Sequence, residues 1–295
     1  MRLPDGYRTE RPAPTDVAEI LDLVRASDIA ALGYPDVEEH EVAGVLAGPD
    51  NDRWLVRDAG GRLVGWGFVE MPGWFCEAYA RPGEDAPVQE VLIDLLLAGI
   101  AERVEGPVIV RAGAIPSEEQ YVKVLTGAGF ELERQQARMS RPLTGDERPE
   151  PAAGYRVRAA TAEELPACND VLRTAFADDV DYAATPGLVL EECLVAEADD
   201  ERAGVLLSTA PAEDTNEGWV KWLGVRPEHR KRGVAAALLS TAIAANSVLG
   251  RPSIGLGVNT SSATRAFDLY ERLGFVTVYR SNIYRRAVEG RIIGT

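Results

Sequence analysis

The chain has 295 residues, 46% of them apolar, and a formal net charge of −16 at neutral pH. The length suits two domains of ordinary size, the apolar share supports well-buried cores, and the acidic balance excludes a broad basic nucleic-acid surface. That charge suits a cationic substrate such as an amine, or it serves solubility alone.

The opening stretch MRLPDGYRTERPAPTD has no apolar signal region. Tyr7-Arg8 begins a short polar/apolar alternation, and TDVAEILDLVRAS from Thr15 reads as a helix with a threonine N-cap. RWLVRDAGGRLVGWGFVEM reads as a hairpin around a Gly-rich turn. A strand ending in Arg81-Pro82 follows, then the helix containing VLIDLLLAGIA, a strand, a helix and Gly129-Phe130. VLIDLLLAGIA is too short for a bilayer and contains Asp94, so a soluble, cytoplasmic protein without membrane contact is expected.

Residues 141–154, RPLTGDERPEPAAG, lose all hydrophobic periodicity and predict a linker. Beyond it the order of elements recurs. Tyr155-Arg156 opens an alternation, and TAEELPACNDVLRTAF from Thr161 reads as a helix with Glu164 completing a capping box. LVAEADDERAGVLLSTA reads as a hairpin. Arg226-Pro227 lies 145 residues after Arg81-Pro82, and Gly274-Phe275 lies 145 after Gly129-Phe130 (226 − 81 and 274 − 129). Two distant landmarks in one register predict tandem copies of one α+β unit, with boundaries at 1–143, a linker at 144–154, and 155–295.

One stretch stands against the acidic background. After the strand WVKWLGV, the loop RPEHRKRG leads into the helical VAAALLSTAIAANSVL. A helix start offers free backbone N–H groups and a positive dipole end to an anion. Gly233 permits close backbone approach, and Arg230, Lys231 and Arg232 add charge. Neither the Walker pattern nor a Rossmann GxGxxG follows any predicted strand, so a pyrophosphate site here needs another motif.

R-K-R-G-V-A, Arg230 to Ala235, resembles the [Q/R]xxGx[G/A] loop of the GCN5-related N-acetyltransferases (GNAT), and LGVNTSSATRAFDLYERLGF resembles that family's later strand–helix segment ending in Tyr-x-x-x-Gly-Phe. Together the motifs cover most of residues 155–287. The tandem layout resembles double-domain members of the family, in architecture only. The resemblance implies two mostly antiparallel sheets flanked by helices, acetyl-CoA as co-substrate and no metal. It implies that backbone groups near Leu223, Gly224 and Val225 address the acetyl carbonyl and pantetheine. The loop from Arg230 through Gly233, Val234 and Ala235 would hold the pyrophosphate, with Asn259 and Ala266 lining the cofactor. Tyr270 would protonate the departing thiolate; a phenol is protonated at neutral pH. The family's asparagine seven residues before that tyrosine is Ala263 here, leaving Asn259, Ser262 or no residue in its place.

Other groups have two readings each. Glu217 is a candidate general base, directly or through water, or a solvated loop carboxylate. Trp219 and Trp222 line an acceptor pocket or pack the core. Lys221 is a poor base unless desolvated. His229 lies beside the phosphates and reads as incidental. With only His40 and His229 and three cysteines lacking CxxC spacing (Cys76, Cys168 and Cys193), neither a zinc site nor a disulfide framework is expected, and the cysteines read as core thiols.

At the 145-residue offset Arg230 falls on Asp85, Arg232 on Pro87, Gly233 on Val88, Ala235 on Glu90 and Tyr270 on Leu125. Acid, a missing N–H and a β-branched residue replace the loop chemistry. The first half is therefore expected to keep the fold without binding acetyl-CoA in the usual manner. The sequence predicts an N-acetyltransferase acting by direct transfer on a primary amine of a small molecule, or on a protein or peptide amine. The alternative is a non-catalytic acyl-CoA-binding module. Monomer and homodimer are both open.

Overall fold

Asp52–Arg57 (β2), Leu63–Glu70 (β3, buried on both faces up to Val69) and Phe75–Ala80 (β4, alternately buried) form an antiparallel ladder with the short β1, Arg8–Glu10, on its outer side. The described residues of this computed structural model are 3–71, 73–178, 180–185, 187–199, 201–211, 215–260 and 265–290, with backbone alone at 85 and 86. β4 also pairs in parallel with β5, Val108–Ala114, through Phe75↔Arg111 and Cys76↔Ala112. Between them run α1 (Val17–Leu32), α2 (Glu39–Ala47), α3 (Asp85–Arg103) and α4 (Glu119–Gly127). α1 and α2 cover one sheet face, with Ile20, Leu23, Leu55 and Trp66 inside. α3 and α4 cover the other, over Leu92, Leu96, Val110 and Phe130. Thr15 is not the cap of α1: a 3-10 turn, Pro14–Asp16, precedes it, and the Asp16 carboxylate accepts from the Ala13 N–H at 2.6 Å.

The second unit repeats this plan. β7 (Arg156–Ala159), β8 (Leu194–Ala198), β9 (Glu201–Thr209) and β10 (Gly218–Val225) form the antiparallel ladder, and β11 (Ser253–Asn259) pairs with β10 in parallel. α5 (Leu165–Phe176) packs on one face over Val171, Leu172, Val205 and Leu207. α6 (Val234–Val248) and α7 (Ala266–Arg272) pack on the other over Leu238, Leu256, Tyr270 and Phe275. The Glu164 side chain does complete a capping box, accepting from the Thr161 N–H at 3.0 Å, but the box closes a 3-10 turn, Ala162–Glu164, and α5 begins only after it. Glu164 also pairs with Arg158 and Arg202, which hold its carboxyl far below the usual range.

The compact units do not follow the Pro/Gly-rich stretch. One comprises residues 1–136 with 280–295 and the other residues 137–279. The chain passes out of the first within β6, Glu131–Pro142, and returns within β12, Val276–Val288, whose residues from Asn282 to Val288 pair antiparallel with β5. Residues 144–154, expected as a linker, pack along α6: the Glu150 N–H donates to Ser240 Oγ at 2.8 Å and Ser247 donates to Glu147 at 2.6 Å. Both units have the expected α+β class, a mixed sheet flanked by helices. Among the described residues no helix is long and apolar enough to cross a membrane.

Candidate functional site

The second unit opens between two parallel strands. β10 and β11 pair only through Gly218↔Ile254, Trp219↔Gly255 and Val220↔Leu256. The register of β10 against β9 then shifts between Val220 and Trp222, which places a bulge at Lys221. Beyond it, Trp222 to Val225 pair with β9 alone. The Arg226 N–H donates to the Ala203 carbonyl at 2.9 Å, and antiparallel ladders alternate. Trp222 and Gly224 therefore turn their N–H and C=O towards β9, while Leu223 and Val225 turn theirs into the opening. Arg230 Nε reaches the Val225 carbonyl there at 3.1 Å. The Leu223 backbone has no partner on that side among the described residues, an arrangement that polar backbone groups avoid unless something else fills the space.

The loop following β10 turns into α6 through two left-handed residues, Lys231 at φ 58° and Gly233 at φ 83°. Gly233 is the N-cap, and no side chain caps the helix. The first N–H groups of α6, including those of Val234 and Ala235, thus face outward beside Lys231 and Arg232, both exposed. Arg230 is occupied differently: its guanidinium also donates to the Ala175 carbonyl at 2.7 Å, tying the loop to the end of α5.

Tyr270, on α7, is 7% exposed and lies in the same core cluster as Leu223, Val225, Ala266 and Phe275. Burial pushes its phenol up to about 12, and its hydroxyl has no hydrogen-bond partner among the described residues. Asn259 ends β11, half-buried. Ala263 and Ser262 lie outside the described residues.

The bulge puts Trp219 and Trp222, three apart, on the α5 face, opposite Val220 in the α6 core. Trp219 lies over Gly255, where a Cβ would come within 2.7 Å of its ring. Trp222 donates from Nε1 to Thr185 at 2.9 Å and packs edge-on against Tyr182 and Phe176. Glu217 is not a solvated loop carboxylate. It is 4% exposed, accepts from Arg138 at 2.6 Å and Ser253 at 3.0 Å, and accepts from Ser140 as well. Gly224 serves packing: a Cβ there would lie 2.7 Å from Leu172 and 3.0 Å from Ala175 on α5. All three cysteines are buried, and burial raises their thiols, Cys76 to about 12 and Cys168 to about 11. This is unsuited to a thiolate nucleophile.

The first unit has the same opening after Cys76, closed by its own side chains. The Ala78 N–H donates to the Tyr121 hydroxyl at 3.2 Å, and Gln89 Nε2 donates to the Ala78 carbonyl at 3.2 Å. Ala78 is the counterpart of Leu223. The counterparts of Tyr121 and Gln89 are alanines, Ala266 and Ala235. The loop register needs correction here. A Cβ on Gly65 would meet Val88 and Leu92, and one on Gly204 would meet Val234 and Leu238. Val88 thus corresponds to Val234, and Pro87, not Val88, stands at Gly233. The loop is one residue shorter, and α3 already begins at Asp85, so helix replaces the cradle. The Asp85 side chain lies outside what is described. The pairing of Leu125 with Tyr270 holds: the N–H of Phe130 closes on Leu125, as that of Phe275 does on Tyr270, both at 3.0 Å.

Residues 190–277 match the acetyltransferase (GNAT) domain family model. The crystal structure of a GCN5-related N-acetyltransferase from Sphaerobacter thermophilus superposes with a TM-score of 0.86 at 23% identity, covering 98% of each chain. The second unit thus carries a segment that matches the GNAT domain family, and the chain as a whole has the fold of that acetyltransferase. A tandem GNAT protein from the clavulanic acid biosynthesis pathway superposes at 0.73 with 15% identity, over 96% of this chain and 98% of that one. The mycothiol acetyltransferase of Streptomyces coelicolor is 31% identical over 171 residues, 53% of this chain and 55% of that protein. The match thus spans about half the length of that curated relative.

Proposed function

We propose that the second unit is an acetyl-CoA-dependent N-acetyltransferase site acting on a primary amine, most simply that of a small molecule. The reading rests on one observation. No described side chain hydrogen-bonds the Leu223 backbone in the opening, which leads to a helix N-terminus without a side-chain cap, whereas Tyr121 and Gln89 bond both backbone groups of its counterpart Ala78. The N–H groups of Leu223 and Val225 would hold the pantetheine and acetyl oxygen. Gly233, Val234 and Ala235, with Lys231 and Arg232, would hold the pyrophosphate, and Arg230 would brace the loop. Ala266 and Asn259 would leave room for and border the pantetheine. Tyr270 would give its proton to the departing sulfur as the amine attacks directly. Glu217, with its oxygens already accepting from Arg138, Ser140 and Ser253, would position Trp219 and the acceptor wall rather than take the amine proton. Trp222 would contribute to the same wall. The acceptor of the Streptomyces relative is one candidate, and a protein or peptide amine is another.

Calorimetry with acetyl-CoA on the full chain is expected to give one site. Gly233→Val should weaken it at least tenfold, because a β-branched residue resists positive φ. Two sites, or a single site indifferent to that change, would overturn the assignment to the second unit. Thiol release against a panel of amines then distinguishes a transferase from a non-catalytic acyl-CoA-binding module.

A further inference from the structure

We propose that Glu201, Glu228 and His229 form a site for a divalent transition-metal ion of the zinc class. One ligand atom from each lies within 4.8 Å of the others. His229 closes the 3-10 turn Pro227–His229 and is 8% exposed. Its Nδ1 is 3.0 Å from the Tyr155 hydroxyl, with the two rings edge to face. Its Nε2 is buried without a hydrogen-bond partner and lies 3.5 Å from a Glu201 oxygen.

A buried ring nitrogen without a hydrogen-bond partner, 3.5 Å from a carboxylate oxygen, is matched either by its own proton or by a cation between the two. When Nδ1–H donates to Tyr155, Nε2 presents a lone pair to negatively charged oxygens, which is repulsive unless a cation intervenes. Zinc binds histidine nitrogen and carboxylate oxygen at about 2.0–2.2 Å in tetrahedral geometry, which sets ligand atoms about 3.4 Å apart. The Nε2–Glu201 separation already matches such an edge. Glu228 is exposed and free to swing inward. Two carboxylates balance the dication, and solvent completes the fourth position. Magnesium and calcium favour all-oxygen sets, so the imidazole selects the zinc class. Tyr155 serves as the outer partner that fixes the ring. The bound ion ties the start of β9 to the turn that precedes Arg230. Cysteine and histidine spacing could not show this site, because Glu201 lies on β9, apart from the turn that carries Glu228 and His229, and the set includes a single histidine.

The test is zinc binding by the full chain after chelator treatment and dialysis, in competition with a chromophoric chelator. It is followed by cobalt substitution read by visible absorption. One equivalent is expected at about 10 μM zinc or below, with cobalt bands of a nitrogen/oxygen tetrahedral site. Loss of a ligand should weaken binding by about ten- to a hundredfold, so His229→Gln should lose tenfold or more. His40→Gln should change nothing. The double variant Glu201→Gln with Glu228→Gln alters exposed side chains only, keeps the fold by circular dichroism, and should also lose tenfold or more. No stoichiometric binding at that concentration, or binding indifferent to His229→Gln or to the double variant, overturns the site.

Discussion

Tyr270 has a hydroxyl that nothing in the described protein engages and a phenol that burial holds protonated up to about pH 12. As the proposed donor to the thiolate it should be competent across the whole neutral and mildly alkaline range. Tyr270→Phe should lower kcat about a hundredfold and leave acetyl-CoA affinity unchanged, as steady-state kinetics and calorimetry would show. An alkaline limb in the wild-type pH profile below about pH 11 should belong to another group and persist in the variant. Gly224 illustrates the opposite case, a residue in the motif region whose side-chain position belongs to the core. Gly224→Ala should cost about 1–3 kcal/mol through overpacking against Leu172 and Ala175, measured by denaturant unfolding.

At the scale of elements, α6 and α3 differ at their first turns. α6 starts after a left-handed glycine and keeps its N-terminus open, whereas α3 starts earlier and carries Pro87 where Gly233 stands. Residues 144–154 are an element in function if not in label. The Glu147 carboxylate accepts from Ser247, from the Thr144 N–H at 2.8 Å and from the Gly145 N–H at 3.0 Å. These bonds, the one from Ser247 foremost, lower its pKa to about 2. A depressed folded-state value means that the stabilisation is present above about pH 4.5 and is lost as pH falls towards 2. Glu147→Gln should therefore lower stability at pH 7 by about 1–2 kcal/mol. Thermal melts across pH 2–5 should show a smaller acid loss in the variant than in the wild type.

Across the whole molecule, the chain enters the second compact unit within β6 and leaves it within β12. A fragment cut at residue 143 lacks the strand that pairs with β5 from Val108 to Ala114. It should expose that edge and aggregate, whereas the same fragment with residues 280–290 joined by a flexible linker should be soluble and cooperative. Size-exclusion chromatography and calorimetric melting of the two fragments check this.

Much of this was legible in the chain alone. The duplication followed from landmarks at one offset, the hairpins from alternation around turn residues, and the left-handed loop into α6 from a glycine ahead of a helix, because each is a local or periodic property. Tertiary structure decided the rest. Pairing between β5 and β12 is made by backbone groups, which carry no residue code, so the unit boundaries could not be read from composition. The one-residue slip of the α3 loop became visible only where Val88 and Val234 meet equivalent glycines. Glu217 looked like a loop carboxylate until strands distant in sequence supplied Arg138, Ser140 and Ser253. Tyr121, one turn before Leu125, closes the first opening only because folding brings its hydroxyl to the Ala78 amide. The sequence determined which segments fold and where a glycine loop opens a helix N-terminus. The folded structure decided which of two related openings the described side chains close, since that depends on whether a backbone donor meets a side chain from another element.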